Sequence, residues 1–294
     1  MIKTDLQIFH EVITKELAQY GVTGELAQEA VPAFADWYKN DRYKKNDHTF
    51  AKILANMKGE IGRTASWDLQ YHKDPKVKWI VAGNPDADKS VIENLSKYPP
   101  FLAARTGETE QGRFDPYHWD DTYDSAKKRF TFVSRKTSFH VSYRQAIAQN
   151  PGAREAVLND IARKGEYLDL LLGNPALTPR VLRTMVQTGY KKEFFAYRKE
   201  EILKKCAEHK LITPSLLLLA GKNSDYDKSV MQAVIKSPRA NDSVYKFFVT
   251  SPDSDIRLMA AKLPNLPTKF VNVLMNDRNI SIRMAANDLA VGVR

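Results

Sequence analysis

The run KKRFTFVSRKTSFHVSYR, residues 127–144, carries Lys127, Lys128, Arg129, Arg135, Lys136 and Arg144 with no carboxylate among them. Aromatic residues alternate with polar ones: Phe130 and Phe132 flank Thr131, and Phe139, Val141 and Tyr143 alternate with His140 and Ser142. Cations beside aromatic faces suit an unpaired nucleic-acid strand. Ammonium and guanidinium groups track the phosphates, while rings stack on bases for about 1–3 kcal/mol each. The period of two predicts two strands joined near residues 134–137, a β-hairpin. One face of such a hairpin must pack on something, so Phe130, Phe132, Phe139 and Val141 have a core role open to them beside the stacking one.

Two further clusters have the same character. GYKKEFFAYRKEEILKKCAEHK sets Lys191, Lys192, Arg198 and Lys199 beside Phe194, Phe195 and Tyr197. Its four glutamates also allow a solvated helix laced with i,i+4 ion pairs. DWYKNDRYKKNDHTFAK sets Lys44 and Lys45 beside Trp37, Tyr38 and Tyr43, where a solvated helix end is the competing reading. The candidate nucleic-acid contacts are therefore Lys127, Lys128, Arg129, Arg135, Lys136, Arg144, Lys191, Lys192, Arg198, Lys199, Lys44 and Lys45. Candidate stacking residues are Phe130, Phe132, Phe139, Tyr143 and Tyr197.

Catalytic chemistry is thinly represented. The phosphate-binding loop, the dinucleotide fingerprint and H-E-x-x-H are all missing from the sequence. The six histidines are scattered and Cys206 is the lone cysteine, so neither a structural zinc site nor any cofactor is expected. One carboxylate–aromatic group, Asp115, His118, Trp119, Asp120 and Asp121, has the residue types for acid–base work or base excision. No second motif accompanies it, and the expectation is a protein that is not an enzyme.

The elements that position these clusters are legible from a repeated phrase. IVAGNPDADKSVIENL at residues 80–95 returns as LLLGNPALTPRVLRTM at residues 170–185. Six residues after Pro85, Pro151, Pro175, Pro238 and Pro264 stand Val91, Val157, Val181, Val244 and Phe270, and ten after stand Leu95, Ile161, Met185, Phe248 and Leu274. Four residues before them stand Val81, Ile147, Leu171, Val234 and Ala260. These spacings place apolar side chains on one side of a helix after each proline and of another before it. Proline cannot extend the first helix and pushes its predecessor out of the α region, so Asn-Pro reads as an elbow. Thr178-Pro179 and Thr213-Pro214 are start signals for the second helix. Near the end, Arg257 and Arg283 recur in DIRLMAAKLP and SIRMAANDLA.

Two short helices cannot bury their apolar faces alone, whereas stacked pairs form a continuous core. VKWIVAGNPDADKSVIENL, LDLLLGNPALTPRVLRTM and IRLMAAKLPNLPTKFVNVL resemble the variant leucine-rich repeat, an all-helical relative of HEAT-like repeats. The resemblance implies a mainly all-α chain, an α-solenoid of two-helix repeats with an inserted β-hairpin. Solenoids of this kind serve as protein scaffolds and, in the HEAT-like DNA glycosylases, as nucleic-acid clamps. The expected organisation is an N-terminal helical cap at 1–70, a first repeat region at 71–104 and an insertion with the basic hairpin at 105–142. Helical repeats follow at 143–294, with an inserted basic helix near 189–205.

The 294 residues carry a formal net charge of +10, from 45 Lys and Arg against 35 Asp and Glu, which favours polyanions. No apolar run approaches the length of a membrane span, and the start has no signal-peptide core, so an intracellular, cytoplasmic protein is expected with no membrane partner. The leading functional expectation is non-catalytic binding of RNA or single-stranded DNA. A protein-interaction scaffold with a partner on its concave face is the alternative, and a glycosylase-like nucleic-acid enzyme the third.

Overall fold

The computed structural model describes residues 5–35, 38, 49–98, 101–104, 138–188 and 199–292. These are mostly helical. The chain divides into two compact units, residues 1–157 and 158–294.

The first unit opens with α1 (Asp5–Ala18) and α2 (Gly24–Ala30), which runs into a 3-10 turn at Val31–Phe34. Then come α3 (Thr49–Ala55), α4 (Gly59–Leu69), α5 (Pro75–Gly83), α6 (Lys89–Leu95) and α7 (Tyr143–Gln149). Helices α3, α5 and α7 pack in succession, each touching the next, while α4 and α6 pack against the same row from one side of the chain order to the next. Between α6 and α7 lies an antiparallel strand pair, β1 (Phe101–Ala104) with β2 (Ser138–Val141). Its register sets Phe101 opposite Val141 and Ala103 opposite Phe139. Strand β2 contains Phe139 and pairs with β1; the other strand of the expected hairpin falls at Phe130–Phe132. That segment lies outside the described residues.

Helix α8 (Glu155–Lys164) runs across the division. The second unit continues with α9 (Leu168–Gly173), α10 (Pro179–Thr188), α11 (Lys199–Glu208), α12 (Pro214–Asn223), α13 (Lys228–Lys236), α14 (Asp242–Val249), α15 (Ser254–Ala261), α16 (Thr268–Met275) and α17 (Ile280–Ala290). Two rows run through it: α9, α11, α13, α15 and α17 touch in succession, as do α10, α12, α14 and α16. The apolar positions read from the prolines form the core between the rows, with Val181, Leu182, Met185, Val244, Phe248, Val234 and Leu274 all buried. Helices α10 and α12 begin at Pro179 and Pro214, and Thr178 and Thr213 accept backbone N–H bonds from Val181 and Leu216.

The asparagine of the Asn-Pro phrase does more than end a helix. In the first unit Asn84 donates its side-chain amide to the carbonyls of Ala55 (2.9 Å) and Met57 (2.7 Å), at the end of α3, and its Oδ1 accepts from the Asp86 N–H. Asn150 repeats this one pair later, donating to Ala82 (2.8 Å) and Asn84 (2.9 Å) and accepting from Gly152. Each asparagine therefore satisfies carbonyls left open at the end of the preceding first-row helix, tying neighbouring pairs together. The turn at Gly152 lies so close to the previous elbow that a Cβ there would stand 2.0 Å from the Pro85 carbonyl oxygen.

Toward the end of the chain Ser237 and Leu263 precede the reference prolines, and neither side chain spans that gap. A buried arginine makes a different tie in this part of the chain. Arg257 donates Nη1 to the carbonyls of Ser251 (2.9 Å) and Pro252 (3.0 Å), and meets both oxygens of Asp277 through Nε (2.6 Å) and Nη2 (3.1 Å).

Candidate nucleic-acid interface

Helix α4 buries Ile61, Ala65 and Leu69, four residues apart, against the body of the first unit. The opposite side of the same helix and the turn after it carry Arg63, Trp67 and Tyr71, again four apart. Trp67 is 48% exposed and Tyr71 70%. A helix that needs its outer face only for solvation has no use for two large rings there, and exposed aromatics beside a guanidinium are the residue types that stack on bases. Nearby in the chain the Lys78 ammonium lies 5.1 Å from the Tyr98 ring centroid, and burial pulls its pKa below the ordinary lysine value despite Asp74.

In the second unit the outer faces of α10, α12 and α14 carry exposed Arg183, Lys222 and Lys246, one on each of three adjoining helices. None of the three has a carboxylate partner among the described residues. The acid on this row, Asp242 of α14, is taken by Lys269 of α16. Adjacent packed helices stand about 8–10 Å apart. Tyr226, in the turn between α12 and α13, is exposed and stacks on Phe247 of α14 with ring centroids 6.3 Å apart and planes 9° from parallel. Its backbone is left-handed, with φ at 63°, as is that of Asp225. That conformation is costly for an aromatic residue and persists only where the surroundings impose it.

The residues singled out from the sequence fare differently. Tyr143, a candidate stacking residue, is only 2% exposed and meets Tyr98 edge to face, so it is core. Arg144 donates Nε to the Ser96 carbonyl (2.9 Å), holding the start of α7 to the end of α6. Lys199 is paired with Asp225 at 2.5 Å. Tyr143 is thereby placed in the core, while Arg144 and Lys199 each have a neighbour engaged. Phe139 lies in β2. Lys127, Lys128, Arg129, Phe130, Phe132, Arg135, Lys136, Lys191, Lys192, Tyr197, Arg198, Lys44 and Lys45 lie outside the described residues, as do Trp119, Asp120 and Asp121.

Arg63, Trp67 and Tyr71 stand at isolated helix positions outside the lysine-rich runs. Their i, i+4, i+8 spacing on the polar side of an amphipathic helix was the available signal. The cations on α10, α12 and α14 lie far apart in sequence and carry no local signal at all.

The remaining chemistry is sparse. No group of three or more His, Cys, Asp or Glu side chains among the described residues is arranged to hold a metal ion, and no described helix is long and apolar enough to cross a membrane. A groove of about 350 Å³ between α11 and α13 is lined by Lys204, Glu208, Ser229, Gln232 and Lys236. Cys206 is buried within α11, and burial pushes its thiol pKa up to about 12. Thiolate chemistry at neutral pH is therefore shut off in the native state. Iodoacetamide at pH 8 should leave the native protein unlabelled and modify it only in denaturant, and rapid native labelling would contradict the burial.

No protein-family model, curated protein or solved structure matches this chain.

Proposed function

We propose that this chain is an α-solenoid of short two-helix repeats that binds RNA or single-stranded DNA, without catalysis, on the outer faces of its second-row helices. The observation that carries the reading is that Arg183, Lys222 and Lys246 are exposed, unpaired with any described carboxylate and borne by three adjoining helices. Phosphates supply the missing counter-charge. The exposed Trp67 and Tyr71 beside Arg63 add stacking faces that tolerate any base. The alternating basic and aromatic run from Lys127 is a second contact line in this proposal, and the net charge of +10 agrees with a polyanionic ligand.

A labelled single-stranded RNA and its DNA counterpart, titrated over a range of salt, test it. Log affinity should fall linearly with log salt, at about 0.7 per phosphate contacted. The variant R183E/K222E/K246E should weaken binding at least about tenfold and flatten the salt slope by about 2, since three contacts are removed. K127E/K128E/R129E tests the second line in the same assay. Absence of binding to either polymer at low salt, or affinity untouched by both triple variants, would remove the proposal.

A further inference from the structure

The turn between α12 and α13 holds two consecutive left-handed residues, Asp225 (φ 50°) and Tyr226 (φ 63°). It is closed by the Asp227 N–H, which donates to the Ser224 carbonyl (3.0 Å). Positive φ at both central residues belongs to turns that favour glycine, asparagine and aspartate. Asp225 meets that preference and Tyr226 does not. The turn is fixed by its other residues: Lys199 donates to the Asp225 carboxylate (2.5 Å), Ser224 Oγ donates to the Gly221 carbonyl (2.7 Å), and the Asp227 carboxylate accepts from the Ser229 and Val230 N–H groups. None of these bonds uses the Tyr226 side chain.

That side chain completes a series of rings that rises from the core. Buried Phe248 meets half-buried Phe247 edge to face at 5.7 Å, and Phe247 lies nearly parallel to Tyr226, with planes 9° apart. Phe247 also rests on Gly221, where an added Cβ would already touch its Cε1 at 3.7 Å. Tyr226 stays 41% exposed. Lys222 and Lys246, both exposed, are the chain neighbours of Gly221 and Phe247.

We infer that Tyr226 is a stacking platform for one unpaired base of a single strand whose phosphates meet Lys222 and Lys246. The inference rests on the nucleic-acid reading above and deepens it, since a duplex keeps its bases stacked on one another. Two exposed lysines disfavour a cationic partner such as an arginine side chain. They favour a ligand that joins a flat π-system to an anion, which is a nucleotide. A ring already held by a fixed turn and by Phe247 loses little freedom when a base lies on it. Every base has a π-face, so the platform is tolerant of sequence.

The probes are labelled single strands of equal length: oligouridylate, oligothymidylate, and an oligothymidylate with stable abasic residues in place of its nucleosides. Each is titrated with the full-length protein at low salt and followed by anisotropy. The wild type should prefer the base-bearing strands to the abasic one by at least about fivefold, the effect of one stacked base. In Tyr226→Asn, where asparagine tolerates the left-handed backbone, the preference should shrink by at least about fivefold, and Tyr226→Phe should restore it. Base-bearing and abasic strands meet the same protein, so a change in folded fraction cancels from their ratio. An effect with only one of the two base-bearing strands supports the platform and identifies its polymer. Binding that R183E/K222E/K246E weakens, but that keeps its full base preference in Tyr226→Asn, would overturn the platform and leave the nucleic-acid reading standing. No binding to any of the strands would overturn both.

Discussion

Replacing Asn150 by aspartate should cost this protein much of its stability. The Asn150 amide points two N–H groups at the carbonyl oxygens of Ala82 and Asn84, 2.8 and 2.9 Å away, while its own oxygen accepts from Gly152. Alanine at this position strands two buried carbonyls and one N–H. At about 1–3 kcal/mol for each unsatisfied group, and with some relief from water, a loss of roughly 3–5 kcal/mol is expected. Aspartate is similar in size but sets a charged acceptor against two acceptors, so Asn150→Asp should be more damaging than Asn150→Ala. Against a total stability on the order of 5–15 kcal/mol, the folded population would fall visibly. Urea melts followed by circular dichroism provide the measurement. The folded protein must raise the pKa of the new carboxyl, because only its protonated form can donate toward a carbonyl. The penalty should accordingly shrink as pH falls toward the ordinary aspartate value of about 3.9. An Asn150→Asp protein as stable as the wild type at pH 7 would refute the role assigned to the amide.

The second large effect is expected at Arg257 and Asp277, both buried and joined through two hydrogen bonds. Asp277→Ala leaves the guanidinium buried with its carbonyl contacts alone, and a loss of about 3–5 kcal/mol is expected. The double variant Arg257→Met with Asp277→Leu removes both charges. It should recover much of that loss, since desolvation of the pair offsets most of its attraction. The cost of breaking the pair then exceeds what the intact pair contributes. A double variant less stable than either single one would show that the clamp on Ser251 and Pro252, rather than charge burial, dominates.

The same pair makes a pH prediction. The hydrogen bond from Arg257 holds the Asp277 carboxyl below the usual aspartate value, against the opposing effect of burial, and the Asn279 N–H and Arg278 charge add to the lowering. A carboxylate with a depressed folded pKa contributes stability that is fully present above the unfolded value of about 3.9. That contribution is lost as pH falls through the folded value. The gap between wild type and Asp277→Asn should thus be widest near neutrality and close on acidification. A gap that stays constant from pH 7 to pH 3 would contradict the direction of the shift.

Most of the helix pattern was legible in the residues themselves. Thr178-Pro179 and Thr213-Pro214 mark where α10 and α12 start, because a threonine cap and a first-turn proline act within one turn of chain. Val181, Met185 and Phe248 were readable as core from spacing alone, since the face a helix buries follows from its own periodicity. The strand pair was only half legible. SFHV alternates and announces β2, but FLAA has no alternation to mark it as the partner.

The candidate site was the least legible part. Arg144 and Lys199 looked like free cations in the sequence and are engaged by Ser96 and Asp225, partners 48 and 26 residues away. Arg183, Lys222 and Lys246 sit alone in unremarkable stretches, and only the packing of α10, α12 and α14 puts them on adjoining helices. Whether a lysine is available depends on what folds against it, and neighbours in space are not neighbours in the chain.

By itself, then, the sequence determined where helices begin and end and which side of each is apolar, because caps, prolines and periodicity act over a few residues. Asn150 marks the line between that local information and the rest. Its place before Pro151 announces an elbow, which any residue-by-residue reading recovers. That the same amide also satisfies the carbonyls of Ala82 and Asn84, 68 and 66 residues back, was decided only when two helix pairs came into contact. A hydrogen bond needs its partner within about 3 Å, and only the tertiary structure brings those atoms together.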